Sequence, residues 1–319
     1  MRIRGNLILC AAGAAGLFAQ QGSIGGPVAG YVFDSHAQSL RVIRGIPGAS
    51  LIGSGVDLGA GVTAAWVSPK LDSALAVMAD GSARIFRLSA GSAVPQTVEG
   101  VVAPERAVFS PSGAALALVT PGSVRIVKGL PDAPTVAGTV ELPVERGAAP
   151  SAAMAAGKLR RPVGGAVAVS DDGLYLLYVS GRAVQILGIG GESRKLADVA
   201  PNALPAFAPG GHDAAIVDAE SVSLFQDAAG AATVRKLPGI AGGRGVAFAP
   251  DGKRLFVAGA AVTSLDMTTG DRAEIACDCR PSGLVRMGSV FRLNDLGSGP
   301  LWLLDAVAEP RVVFVPAAQ

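Results

Sequence analysis

The chain has 319 residues, half of them hydrophobic but only 5% aromatic, with 43 Gly, 21 Pro and a formal net charge of +2. So small a charge gives nucleic acid or an anionic membrane no electrostatic footing as a partner. Charged residues make up 16%, which excludes a chain of long solvated helices, and Ala, Val, Leu and Gly carry an apolar load suited to short buried strands between tight turns.

The N-terminus predicts a signal peptide over residues 1–20. Arg2 and Arg4 precede an apolar run from Leu7 to Ala15, then small residues, Ala19, Gln20 and Gln21. Leu17 is larger than the usual residue three places before a cut, so the cleavage position is open by a few residues. Two readings compete. An uncleaved anchor would need about 20 apolar residues, and the run is shorter. A lipoprotein would use Cys10, but Leu9 stands where a small residue is expected. No second run of spanning length occurs, so residues 21–319 are expected to be an exported chain, periplasmic or extracellular, with no membrane span. Cys277 and Cys279 remain in it, and export favours oxidation.

The rest of the chain repeats. Ala64-Ala65-Trp66-Val67-Ser68-Pro69, Ala107-Val108-Phe109-Ser110-Pro111-Ser112-Gly113, Val167-Ala168-Val169-Ser170-Asp171-Asp172-Gly173, Pro205-Ala206-Phe207-Ala208-Pro209-Gly210 and Val246-Ala247-Phe248-Ala249-Pro250-Asp251-Gly252 are one unit. Each is a short apolar strand running into a turn in which Pro presets φ and Asp or Gly supplies the bend. A second strand follows each turn, as in Arg254 to Ala258 or Tyr175 to Val179. A third strand follows it, at Ala83 to Leu88, Ser123 to Val127, Ala183 to Leu187, Ser221 to Phe225 and Ala261 to Asp266. A weaker fourth strand completes each cycle. The turns from Pro69 to Pro111, Asp171 to Pro209 and Pro209 to Pro250 lie 42, 38 and 41 residues apart. The 60 residues from Pro111 to Asp171 imply a long loop near 145–162. Four antiparallel strands per cycle of this length is the pattern of a propeller blade.

The fold class expected is therefore all-β, a single β-propeller domain over 21–319. Seven blades of four antiparallel strands is the favoured count. The first cycle lacks one strand, with strands at Val28 to Phe33, Leu40 to Ile43 and Ser50 to Gly53. Six blades closed by a strand swap is the alternative. A β-sandwich would not need the turn to recur at this interval.

The segment Pro250-Asp251-Gly252-Lys253-Arg254-Leu255-Phe256-Val257 resembles the repeat turn of WD40-like and YVTN-type bacterial propellers. The resemblance spans nearly the whole of the expected exported chain. No Trp-Asp dipeptide occurs, so the array is not a regular WD40 one. Propellers of this kind include binding platforms, lactonases and quinone-dependent dehydrogenases, so the resemblance implies a fold and not an activity.

Propeller ligands sit at one mouth of the central channel. The loops entering each innermost strand are rich in arginine here: Arg106, Arg160 and Arg161 with Lys158, Arg244 and Arg280. Arg106, Arg161, Arg244 and Arg280 are the candidate ligand-binding residues, since guanidinium suits bidentate capture of carboxylate or phosphate. The competing reading pairs these arginines with Glu105, Asp218, Glu220 or Asp295. Cys277-Asp278-Cys279 is read as a disulfide stiffening its loop; with no other Cys left and His36 and His212 distant in sequence, a metal there is the weaker reading.

No nucleophile elbow, zinc motif or calcium loop occurs. Gly188-Ile189-Gly190-Gly191 follows a blade strand with no helix behind it and reads as a turn. Asp171 and Asp172 belong to the repeat turn, and Trp66 and Trp302 are expected between blades. His36 and His212 are placed in exposed polar turns. The function expected is a non-enzymatic exported binding module, monomeric, without cofactor or metal. Its partner would be a protein, a glycan or a small anion. The alternatives are a metal-assisted hydrolase or lactonase using Asp80, Asp218 and Asp295, or a purely structural envelope component.

Overall fold

The computed structural model describes residues 26–143, 165–200, 202–238, 243–297 and 299–316. The expected signal peptide and the loop near 145–162 lie outside them. None of the described residues is helical, and 27 strands form seven antiparallel sheets in chain order. These are the seven blades of a β-propeller. The six-bladed, strand-swapped alternative is not what forms, because the N-terminal strands make a blade of their own.

Blades 2 to 7 have four strands each, paired in sequence order. Their innermost strands are Val62–Val67, Arg106–Phe109, Val167–Val169, Leu204–Phe207, Gly245–Phe248 and Val285–Met287. Blade 1 has three among the described residues: Val28–Asp34, Ser39–Ile46 and Ala49–Val56.

The repeated turn has a common construction. The N–H of Ser68, Ser110, Ser170, Ala208 or Ala249 donates to the carbonyl five residues on, at 2.7–3.0 Å. Where the residue is Ser, its side chain is buried and its Oγ accepts a second N–H, from Ser73, Ala115 or Tyr175. Gly113, Gly173 and Gly252 close the turn at φ of +78°, +63° and +70°, where a side chain is disfavoured. Blade 2 places Leu71 there, at φ +63°, a cost of roughly 1–2 kcal/mol. Its side chain packs into the apolar cluster between blades 7 and 1, which offsets that cost.

In an antiparallel blade, the loop entering the first strand and the loop joining the second to the third share one end of the ring. We call this end the mouth. The other two turns share the opposite end, the floor. Blade 1 fits only as second, third and fourth strands. Its Arg44 lies against Gly91, a floor turn of blade 2, where a Cβ would stand 3.3 Å from Arg44 Nη2. Leu58, just past its last strand, packs with Val62 and Met78 at the mouth end of blade 2. The Gly288 N–H in blade 7's floor turn donates directly to the Pro69 carbonyl in blade 2's floor turn, at 2.6 Å. No floor turn of blade 1 stands between them, so the innermost strand is the one not found among the described residues. The repeated turn, which follows innermost strands, is accordingly absent from residues 26–61.

The core is a ring of seven apolar clusters, one between each pair of neighbouring blades. Trp66 sits between blades 2 and 3, and Trp302 between blades 6 and 7, as expected.

Candidate ligand site at the channel mouth

The innermost strands surround a central cavity of about 750 Å³. At its floor, Arg286 on the innermost strand of blade 7 reaches across the ring. Its Nη1 donates to the Pro111 carbonyl of blade 3 at 2.9 Å and its Nε to the Gly288 carbonyl at 3.0 Å. Burial pulls its guanidinium below the ordinary arginine value, and the nearby Asp171 carboxylate partly restores it. With the contact between Gly288 and Pro69, this strut ties blades 2, 3 and 7 together at the floor.

At the mouth, Arg106 lines the cavity from the start of blade 3. Its Nη2 donates to the Gly165 carbonyl at 2.8 Å. Its Nε is buried and meets no acceptor among the described residues. Among the described residues no carboxylate pairs with it, and burial pulls its pKa down, only partly offset by Tyr178. A buried guanidinium without a counter-charge is costly, so the arrangement favours an incoming anion.

The other predicted arginines are less central. Arg161 lies outside the described residues. Arg244 and Arg280 are exposed on the loops entering blades 6 and 7 and do not line the cavity. Arg244 Nη1 makes a long bond to the Pro281 carbonyl, 3.4 Å. Neither they nor Arg106 pairs with Glu105, Asp218, Glu220 or Asp295 among the described residues. Asp295 binds Arg292 instead, at 2.6 Å, and both line the mouth. Sequence reasoning missed Arg286 and Arg292 because both lie within strands rather than on an entering loop.

The carboxylates of the alternative enzyme reading are not brought together. Asp80 accepts the Ser82 N–H within its own turn. Asp218 accepts the N–H groups of Ala200, Glu220 and Ser221 at 2.9–3.1 Å. Among the described residues no three His, Cys, Asp or Glu side chains form a metal-binding group.

Burial pushes the Asp218 carboxyl up, but those N–H donors and the Ser221 hydroxyl outweigh it and hold the pKa below 3.8. A carboxyl depressed on folding contributes stability above its unfolded value, lost as pH falls through the folded one. Asp218→Asn therefore loses stability at pH 7 and almost none once pH is below the folded value. Urea midpoints of wild type and variant, converging in acid, check this; a constant gap would contradict it.

His212 is half-buried rather than exposed, with Nε2 2.9 Å from Asp172 Oδ2 of the preceding blade and its ring edge-on to Tyr175. His36 is exposed, as expected. Cys277 and Cys279 lie with Cα atoms 5.1 Å apart and their sulfurs facing each other in bonding contact. Denatured, unreduced protein lacking residues 1–20 is expected to titrate no free thiol; two per chain would contradict the bridge.

No protein-family model matches the sequence, and no curated protein matches it. Solved structures do match in shape. A functionally unknown protein from Desulfotomaculum acetoxidans superposes with a TM-score of 0.57 at 12% identity, covering 91% of this chain and 99% of its own. A candidate 6-phosphogluconolactonase from Bacteroides fragilis gives 0.55 at 15% identity, over 90% and 97%. The hydrazine synthase of Kuenenia stuttgartiensis gives 0.50 at 18%, over 75% of each chain. The likeness is one of fold alone.

Proposed function

We propose that this chain is an exported, non-enzymatic propeller of the WD40-like, YVTN-type kind that binds an anionic group at its channel mouth. Arg106 is the anchor, and Arg244 and Arg280, exposed on the loops entering blades 6 and 7, add positive charge beside it; Arg161, outside the described residues, is the fourth candidate. The observation that carries the reading is the buried Arg106 Nε without an acceptor among the described residues, on a side chain that lines the central cavity. The N-terminal pattern of Arg2, Arg4 and the apolar run to Ala15 supports the export part of this reading. The exported chain would then work in the periplasm or outside the cell, as a monomer.

A charge-assisted bond to a desolvated guanidinium is worth about 1.5–3 kcal/mol. Titration calorimetry with glutarate and with inorganic phosphate is expected to show one site per chain. Arg106→Gln should weaken it at least tenfold, and charge reversal at Arg244 and Arg280 by less. Equal binding by wild type and Arg106→Gln would sink the site.

A further inference from the structure

The polar side chains on the wall of the central cavity are nearly all spent on partners within the protein. Thr63 Oγ1 donates to the Val77 carbonyl at 3.1 Å, and the buried Ser110 Oγ accepts the Ala115 N–H at 3.1 Å. Arg286 is bonded to two carbonyls, and Arg292 is paired with Asp295. Asn294 donates to the Pro300 carbonyl and accepts the Trp302 N–H. Ser35 and Ser282 are exposed to water. Among the described wall residues, only Arg106 keeps a buried side-chain donor without an acceptor. The other side chains of the wall are apolar, and several are incompletely covered. Trp66, Phe109, Ala247 and Leu284 are part-buried. Val285, on the innermost strand of blade 7, lines the cavity and is 43% exposed. Apolar surface left to water favours a ligand that covers it. Small-molecule sites are built in this way, with apolar walls and a few polar groups that fix orientation, and a volume of about 750 Å³ suits one.

We infer that the ligand of this cavity is an apolar monocarboxylate, with its carboxylate on Arg106 and its hydrocarbon body in the channel among the part-covered apolar side chains. The charged end rests on the anion reading above, and the apolar body rests on the cavity wall. A carboxylate supplies the counter-charge that Arg106 lacks among the described residues. A second carboxylate finds no such group, because Arg292 is taken by Asp295 and Arg286 by carbonyls, with Asp171 nearby. Burying a charge without a partner is costly, so a ligand charged at both ends, such as glutarate, is the weaker one. Length fits as well. The innermost strand Arg106–Phe109 rises about 13 Å, so an eight-carbon chain held at its first residue can lie along it.

The test titrates the protein lacking residues 1–20 with butyrate, hexanoate, octanoate and glutarate at neutral pH, read by calorimetry. Each added methylene is expected to tighten binding by about two- to fourfold. Octanoate should then bind at least tenfold more tightly than butyrate, and more tightly than glutarate, which it should displace. The heat-capacity change on binding should grow more negative with chain length. Octylammonium has the same body and the opposite charge, and should bind at least tenfold more weakly than octanoate. Octanoate brominated at its far end should quench tryptophan fluorescence, and Trp66→Phe should remove the quenching, since Trp302 does not line the cavity. Val285→Ser should narrow the ratio of octanoate to butyrate affinity. The chain-length series and the charge inversion are read on wild type, so a variant that fails to fold does not block the test. If glutarate binds and octanoate binds no better than butyrate, this inference fails and the anion reading stands. Octylammonium binding as tightly as octanoate, or quenching that persists in Trp66→Phe, also overturns the inference. If octanoate binds wild type and Arg106→Gln alike, this inference and the anion reading both fail.

Discussion

Replacing Phe291 by alanine is expected to cost about 3–5 kcal/mol, the range for an aromatic side chain deleted from a packed core. Phe291 is wholly buried between blades 6 and 7 and meets Phe256, also wholly buried, with ring centroids 5.3 Å apart and planes tilted by 59°. The two rings come from the second strands of adjacent blades, so truncation opens a void at a seam that neither sheet can close by itself. Phe314→Ala is the control. That ring is 56% exposed on the last strand and touches Trp302 at the surface, and its loss should cost roughly 1 kcal/mol or less. Urea unfolding followed by tryptophan fluorescence measures both. Similar costs for the two variants would contradict the seam-packed core.

Asp171→Ala is expected to cost about 1–3 kcal/mol, because it removes one charged acceptor shared by donors from two other blades. Asp171 Oδ1 accepts the Ser112 N–H of blade 3 at 2.6 Å, and Oδ2 accepts the Gly210 N–H of blade 5 at 2.8 Å. One carboxylate in blade 4 therefore pins both neighbours at the floor, close to the Arg286 strut. Asp171→Asn keeps one acceptor oxygen and turns an NH2 toward the other donor, so it should fall between wild type and alanine. Thermal unfolding of the three proteins checks the order. A loss under about 0.5 kcal/mol for alanine would show that the floor turns hold without this link.

Much of the fold was legible because a period of about forty residues is a property of sequence. The third strand read at Ser123 to Val127 forms at Ser123–Lys128, and the one read at Ala183 to Leu187 forms at Ala183–Gly188. The short first cycle was legible too, since three strand patterns stand there where four recur elsewhere. Which strand was missing was not. A strand's pattern records its two faces, and its place in the sheet is decided by neighbours such as Gly91 and Met78.

The site was legible in part. Arginines on entering loops can be counted from sequence, but burial separates them. Arg106 lies within the ring, while Arg244 and Arg280 remain outside the cavity. Arg286 looked like an ordinary strand residue. Only closure of the ring brings it to Pro111, 175 residues away in the chain. The link between His212 and Asp172 escaped notice for the same reason: it joins two blades, 40 residues apart. The paired acids of the repeat turn were read as structural, and Asp171 is used in that way, though for its neighbours rather than for its own turn.

The central claim is that the Arg106 guanidinium, whose Nε meets no acceptor among the described residues, receives an anion. The Nε–H resonance of Arg106, assigned in ¹⁵N-labelled protein by its loss in Arg106→Lys, reports on that atom directly. The account predicts that added glutarate moves this resonance along a saturable curve and slows its exchange with water, in step with the calorimetric titration. A resonance that stays fixed while glutarate binds, or one already slow to exchange and unmoved in its absence, would contradict it.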